Sequence, residues 1–213
     1  MRKVLLSFVL ICCALTARAG PVTIAALGDS LTQGYGLAQG NGFVPQLQAW
    51  LARQGADAVL INAGVSGDTT AGGAARVGWT LTPDVDAMIV TLGGNDVLRG
   101  IDPAVSRANL EAILRAAQQA NVQVLLIGMR APGNFGPDYK AAFEQNYADL
   151  SQQYGTLFEK DFFRGLSGSG GDPAAMQPFM QADGIHPNAE GVVRIVGALG
   201  PAVLNLIEAA KDQ

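Results

Sequence analysis

Short apolar runs rich in β-branched residues alternate along the chain with longer stretches in which apolar residues recur every three to four positions. The runs at 22–27, 58–62, 86–92, 122–128 and, more weakly, 156–159 predict five strands. Most are nearly continuous in apolar character, which is the pattern of parallel strands covered by helices on both faces. Helices are predicted at about 43–53, 70–77, 103–120 and 138–154. The third has the clearest start, with Asp102 as N-cap and Pro103 at the first helical position. Its apolar residues Val105, Ala108, Leu110, Ala112, Ile113, Leu114 and Ala117 keep helical spacing. Near the C-terminus Asn188 is placed to cap a helix carrying Val192, Val193, Ile195, Val196 and Leu199. Gly200-Pro201 predicts an interruption there, followed by a final turn or two to Ala210.

Strand and helix in alternation predict an α/β fold: a three-layer α/β/α sandwich around a five-stranded, mainly parallel sheet. In such sheets ligands bind beyond the carboxyl ends of the strands, which selects the loops to inspect. The first strand runs into Gly28-Asp29-Ser30, the second into Ala63-Gly64-Val65-Ser66-Gly67-Asp68, and the third into Gly93-Gly94-Asn95-Asp96. Three Gly-rich polar turns thus converge on one rim. Glycine permits close backbone approach, and N–H groups left unpaired at helix starts can face a developing anion. Asn95 adds a side-chain amide donor. Asp29, Asp68 and Asp96 read as helix caps and loop braces.

The 213 residues fit one domain, and no linker or repeat divides them. Residues 1–19 form a separate unit: Arg2 and Lys3, an apolar run from 4 to 15, then Ala17-Arg18-Ala19 before Gly20. This predicts a cleavable signal peptide and an export destination in the periplasm or medium, with the functional domain at 20–213. The apolar run is too short for a stable membrane span. Cleavage removes three of the 14 basic residues against 18 acidic ones, which takes the formal net charge from −4 to −7. So acidic a chain is a poor partner for nucleic acid. Both cysteines, Cys12 and Cys13, lie within the leader, so the mature chain has no disulfide framework. With one histidine and no cysteine it has no typical zinc ligand set, and neither a metal nor another cofactor is predicted.

Just before the last helix stands Asp183-Gly184-Ile185-His186-Pro187. A hydroxyl nucleophile needs a base, and a neutral imidazole needs a carboxylate on its other nitrogen. Asp183 and His186, three residues apart in a tight turn, meet that need locally, and His186 is the only histidine in the chain. Any serine–histidine mechanism must therefore use His186, and Ser30, in the turn after the first strand, stands outside any Gly-x-Ser-x-Gly elbow, so the α/β-hydrolase plan does not apply. The segment 34–40 misses the G-x-G-x-x-G register by one residue and no Walker A lysine is present, which leaves nucleotide binding without support.

In this order the segments resemble the four blocks of the SGNH or GDSL hydrolases: Gly-Asp-Ser-Leu around Ser30, Gly67, Gly-Gly-Asn-Asp around Asn95, and Asp-x-x-His at Asp183 and His186. The likeness covers nearly all of the mature chain and is greatest to bacterial periplasmic enzymes of the thioesterase I, arylesterase and lysophospholipase type. It implies the flavodoxin-like SGNH hydrolase fold, and a triad of Ser30, His186 and Asp183. It further implies an oxyanion hole made by the Ser30 and Gly67 N–H groups and the Asn95 side chain. The implied activity is hydrolysis of carboxylic esters or thioesters through an acyl-enzyme, on a small-molecule substrate of lipidic or aryl type, by a monomer. A carbohydrate O-acetylesterase of the same family is the alternative within the enzymes, and a non-catalytic exported binding protein the alternative outside them. The segment 130–139, after the fourth strand, is a candidate cover for an acyl chain, with Pro132 and Phe135 as apolar contacts or as parts of a rigid loop. A Gly-rich loop at 162–178 is expected to move, with Met176, Phe179 and Met180 packing under the Asp-x-x-His turn in preference to lining an acyl site. Trp50 and Trp79 read as core or interface residues.

Overall fold

A computed structural model describes residues 20–166 and 173–212. The leader at 1–19, with Cys12 and Cys13, lies outside the described residues, as do Gly168, Gly170 and Gly171 of the Gly-rich loop. The five strands are β1 (Val22–Gly28), β2 (Ala58–Gly64), β3 (Ala87–Thr91), β4 (Gln123–Ile127) and β5 (Leu157–Glu159). They pair in the order β2-β1-β3-β4-β5, every pair parallel. This is the flavodoxin-like order, in which the chain reverses direction across the sheet between β1 and β3.

The helices are α1 (Ser30–Gln33), α2 (Phe43–Arg53), α3 (Thr70–Thr80), α4 (Gly94–Leu98), α5 (Pro103–Gln119), α6 (Pro137–Tyr154), α7 (Pro173–Met176) and α8 (Ala189–Lys211). α2 and α8 pack together on one face of the sheet, and α3, α5 and α6 form the other layer. The central strands β1 and β3 are sealed from both sides: Ile24, Leu27, Met88 and Ile89 have no exposed surface. β2 departs from the expected double coverage. It is an edge strand with Val59 and Ile61 open to solvent, and the Gln48 side chain of α2 pairs with its backbone at Ala58 and Leu60.

One other expectation is corrected. α8 runs unbroken through Gly200-Pro201. Proline removes one intrahelical bond, to the carbonyl of Gly197, but Gly197 and Pro201 are both exposed, so the lost bond lies on the solvent side of the helix. The apolar stripe continues past it through Val203, Leu206 and Ile207, all buried, so packing holds the helix where local propensity would end it. By length and composition α8 is apolar enough to cross a bilayer, yet this stripe is buried within the molecule, as befits the core helix of a globular fold. Of the two readings of Trp79, core or interface, the first is set aside: it is 86% exposed near the C-terminal end of α3. Trp50 does pack on the core, where a Cβ at Gly200 would stand 2.6 Å from its ring.

Candidate active site

The carboxyl ends of β1 and β3 deliver the first site residues. Ser30 opens α1, a single turn whose N-cap is Asp29; the Leu31 N–H donates to Asp29 Oδ1 at 3.0 Å. Gly28 must lack a side chain, because a Cβ there would stand 2.9 Å from the Thr91 carbonyl of the neighbouring strand. Across the cleft the Asp183 turn closes on itself. Asp183 Oδ1 accepts the Ile185 and His186 N–H groups at 2.9 and 3.0 Å, and its Oδ2 lies 2.7 Å from His186 Nδ1. His186 Nε2 is 2.8 Å from Ser30 Oγ. A hydrogen on Nδ1 satisfies both contacts, with Nε2 left as acceptor for the serine hydroxyl.

Hydrogen bonds to the ionised form hold the Asp183 carboxyl down at about 2; the His186 N–H is the largest cause, with the imidazole and the Ile185 N–H adding to it. Asp29 is driven the other way. It is 1% exposed, and burial raises its carboxyl to about 6 against the opposing pull of the Leu31 N–H, the Asn95 amide and the His186 charge. Two carboxyls beside one imidazole thus differ sharply in their readiness to ionise.

Gly67 sits at φ +85° in the loop after β2, a backbone that favours glycine, and its carbonyl accepts from Arg99 at 3.0 Å. Asn95 lies in α4, which Gly93 introduces at φ +115°. Its Nδ2 donates to the Asp68 carbonyl at 3.0 Å and, at the long distance of 3.4 Å, to Asp29 Oδ2. The braces expected of the other aspartates are present. Buried Asp96 accepts from the Thr70 N–H, the Thr70 hydroxyl and the Ser106 hydroxyl, fastening α3 and α5 to α4. Asp68 holds Arg76 at 2.6 Å, and Arg76 reaches on to the Ala63 and Gly28 carbonyls at the ends of β2 and β1.

Ser30, Gly67, Asn95 and His186 all line one cleft of about 790 Å³. Its walls are mostly apolar, with Leu31, Val97, Leu98, Met129, Met176 and Met180 prominent. Pro132 belongs to the lining; Phe135 stands outside it, its ring 5.0 Å from that of Tyr139 and against Gly100. Met176 and Met180 both pack on the core and face the cleft, whereas Phe179 packs on the core beneath the Arg194 guanidinium. Sequence reasoning missed Tyr35, whose ring lies 4.7 Å from the imidazole, and Arg76 and Gln181, whose partners are backbone carbonyls of distant segments. Among the described residues no cluster of His, Cys, Asp or Glu is arranged to hold a metal.

Residues 26–193 match the model of the GDSL-like lipase/acylhydrolase family. The chain is 38% identical to esterase TesA of Pseudomonas aeruginosa over 97% of its own length and 100% of that protein's. It is 33% identical to thioesterase 1/protease 1/lysophospholipase L1 of Escherichia coli K12, over 83% of this chain and 81% of the relative. The solved structure of TesA superposes with a TM-score of 0.77 at 37% identity, covering 86% of this chain and 99% of the other. With a matched region that contains Ser30, Gly67, Asn95, Asp183 and His186, the chain belongs to the GDSL-like lipase/acylhydrolase family of ester-hydrolysing enzymes.

Proposed function

We propose that the protein is an exported serine esterase that hydrolyses carboxylic esters and thioesters of apolar acyl groups, with Ser30 as nucleophile, His186 as base and Asp183 as its orienting acid. The observation that carries the reading is the unbroken relay from Asp183 Oδ2 through both imidazole nitrogens to Ser30 Oγ, at 2.7 and 2.8 Å, at the wall of an apolar cleft. Ser30 Oγ attacks the acyl carbonyl as its proton passes to His186 Nε2, and Asp183 stabilises the imidazolium without taking the proton. The oxyanion is met by the Ser30 and Gly67 N–H groups and by Asn95. The long Asn95 contact to Asp29 is the one an oxyanion displaces, while the 3.0 Å bond to the Asp68 carbonyl keeps the amide aimed. His186 then protonates the leaving alcohol or thiol, and water releases the acyl group by the reverse sequence.

The apolar walls support an acyl chain over a sugar as occupant, and so a lipidic or aryl ester over an acetylated carbohydrate. The reading takes the enzyme as a monomer, with residues 1–19 as a cleaved leader. Its test is hydrolysis of a p-nitrophenyl ester series by the purified protein and its Ser30→Ala and His186→Ala variants. Turnover by the wild type and its loss in both variants are expected; turnover retained in Ser30→Ala overturns the assignment. N-terminal sequencing of protein recovered from the exporting cell should begin at Gly20.

A further inference from the structure

Ser30 and His186 are 156 residues apart in sequence, and the reaction proposed above depends on a 2.8 Å contact between them. The bonds inside the Asp183 turn fix the imidazole relative to Asp183 alone. They do nothing to hold that turn against the serine loop. A different residue spans the two segments.

Gln181 lies two residues before Asp183 and is half-buried. Its backbone N–H donates to the His186 carbonyl at 2.7 Å and its carbonyl accepts the Gly184 N–H at 3.0 Å, so its main chain belongs to the histidine turn. Its side-chain amide nitrogen, Nε2, has two hydrogens, and both are used. One goes to the Pro187 carbonyl at 3.0 Å, within the same turn, and the other to the Tyr35 carbonyl at 2.9 Å, in the loop that follows Ser30 on α1. That loop is itself short and closed: the Gly34 and Tyr35 N–H groups both donate to the Ser30 carbonyl. A displacement of Tyr35 is therefore a displacement of Ser30. Gly36 makes room for the arrangement, since a Cβ there would collide with Gln181 Oε1, and it holds φ +73°. The Tyr35 ring, carried by the same backbone, rests 4.7 Å from the imidazole.

We infer that Gln181 is a positioning residue: its amide clasps the Tyr35 and Pro187 carbonyls and thereby sets the distance between Ser30 Oγ and His186 Nε2. The inference rests on the serine-esterase reading. A 1 Å misplacement of reacting groups can cost about a hundredfold in rate, which is the scale on which such a clasp acts.

The test is Gln181→Met, which keeps the length of the side chain and all backbone bonds but removes both donors. Three quantities are read on the folded protein: the active fraction by burst titration, kcat per active site on a short and a long acyl ester, and the imidazole nitrogen-bound proton by NMR. The last is unambiguous because His186 is the only histidine. The expected result is a fall in kcat of roughly tenfold or more per active site, equal for both esters, with KM within about threefold, while the downfield Nδ1–H signal of the Asp183 pair persists. A kcat within about twofold of wild type overturns the inference. So does loss of the Nδ1–H signal together with rate, because Gln181 would then only be holding the histidine turn together. Should Gln181→Met fail to fold, Gln181→Ala is measured in the same way. A wild type without esterase activity defeats the serine-esterase reading instead, and so the two failures are told apart.

Discussion

Asn95 and Asp29 share one contact and carry opposite requirements. In the proposed mechanism Asn95 offers a hydrogen to an oxyanion, and Asp29 competes for it at 3.4 Å. Loss of a single oxyanion donor costs about 2.7–4 kcal/mol in the transition state. Asn95→Ala is therefore expected to lower kcat by roughly a hundred- to a thousandfold, with KM little changed, in steady-state assays on protein whose melting transition remains cooperative. For Asp29 the prediction concerns pH. Its carboxyl is held at about 6 when folded against an ordinary 3.8, so between these values the folded state binds the extra proton. Stability should then fall as pH rises from about 4 to about 6, by an amount on the order of a few kcal/mol. Asp183, held near 2, acts in the reverse sense and only below about pH 4, where acid removes the stability its ionised form provides. Urea midpoints at pH 4.5 and 7 on wild type and Asp29→Asn would show this: the component should vanish in the variant, and equal slopes in the two proteins would count against it.

The contact between Ser30 and His186 was legible because each is chemically marked, one by its Gly-flanked turn and the other by being the single imidazole. Gln181 and Arg76 carry no such mark. Their function lies in reaching carbonyl groups 146 and 48 positions away, and backbone acceptors look the same at every residue.

At the scale of elements, α8 best separates local from tertiary control. Gly200-Pro201 is a sound stop signal in isolation, and the helix disregards it because the stripe beyond remains buried against the core. Proline in a helix interior costs about 3 kcal/mol relative to alanine, partly offset by its lower entropy in the unfolded chain and here by the exposed position of Gly197 and Pro201. Pro201→Ala should thus raise stability by roughly 1–2 kcal/mol, visible as a melting temperature higher by a few degrees with unchanged kcat. An unchanged or lowered melting temperature would mean that the proline has a packing role. The strands were readable because parallel pairing demands unbroken apolar runs. The coverage of β2 was not, since an apolar edge strand and an apolar central strand have the same composition and differ only in their neighbours.

At the scale of the molecule, the flavodoxin-like order brings the ends of β1 and β3 side by side, with the β2 loop adjoining β1, and the last helix carries the histidine turn up to them. The three-layer fold and the rim bearing the site followed from strand and helix alternation alone. The shape of the cleft did not: Met176 and Met180 were expected beneath the turn, and they pack on the core and face the cleft as well. On the proposed reading, with the acyl group in the cleft of about 790 Å³, rate is expected to depend on acyl length. Leu98, exposed on α4 and part of the lining, offers a test that leaves the fold alone. Leu98→Trp should reduce kcat/KM for a decanoyl ester by about tenfold relative to an acetyl ester, and an unaltered ratio would place the acyl group elsewhere.

The most direct test of the account is covalent capture of the nucleophile. The folded protein is treated with a fluorophosphonate and analysed by intact mass and peptide mapping. A single adduct on Ser30, absent from Ser30→Ala and strongly slowed in His186→Ala, is the predicted result; a folded wild type that takes up no adduct, or takes it up at a residue other than Ser30, would contradict it.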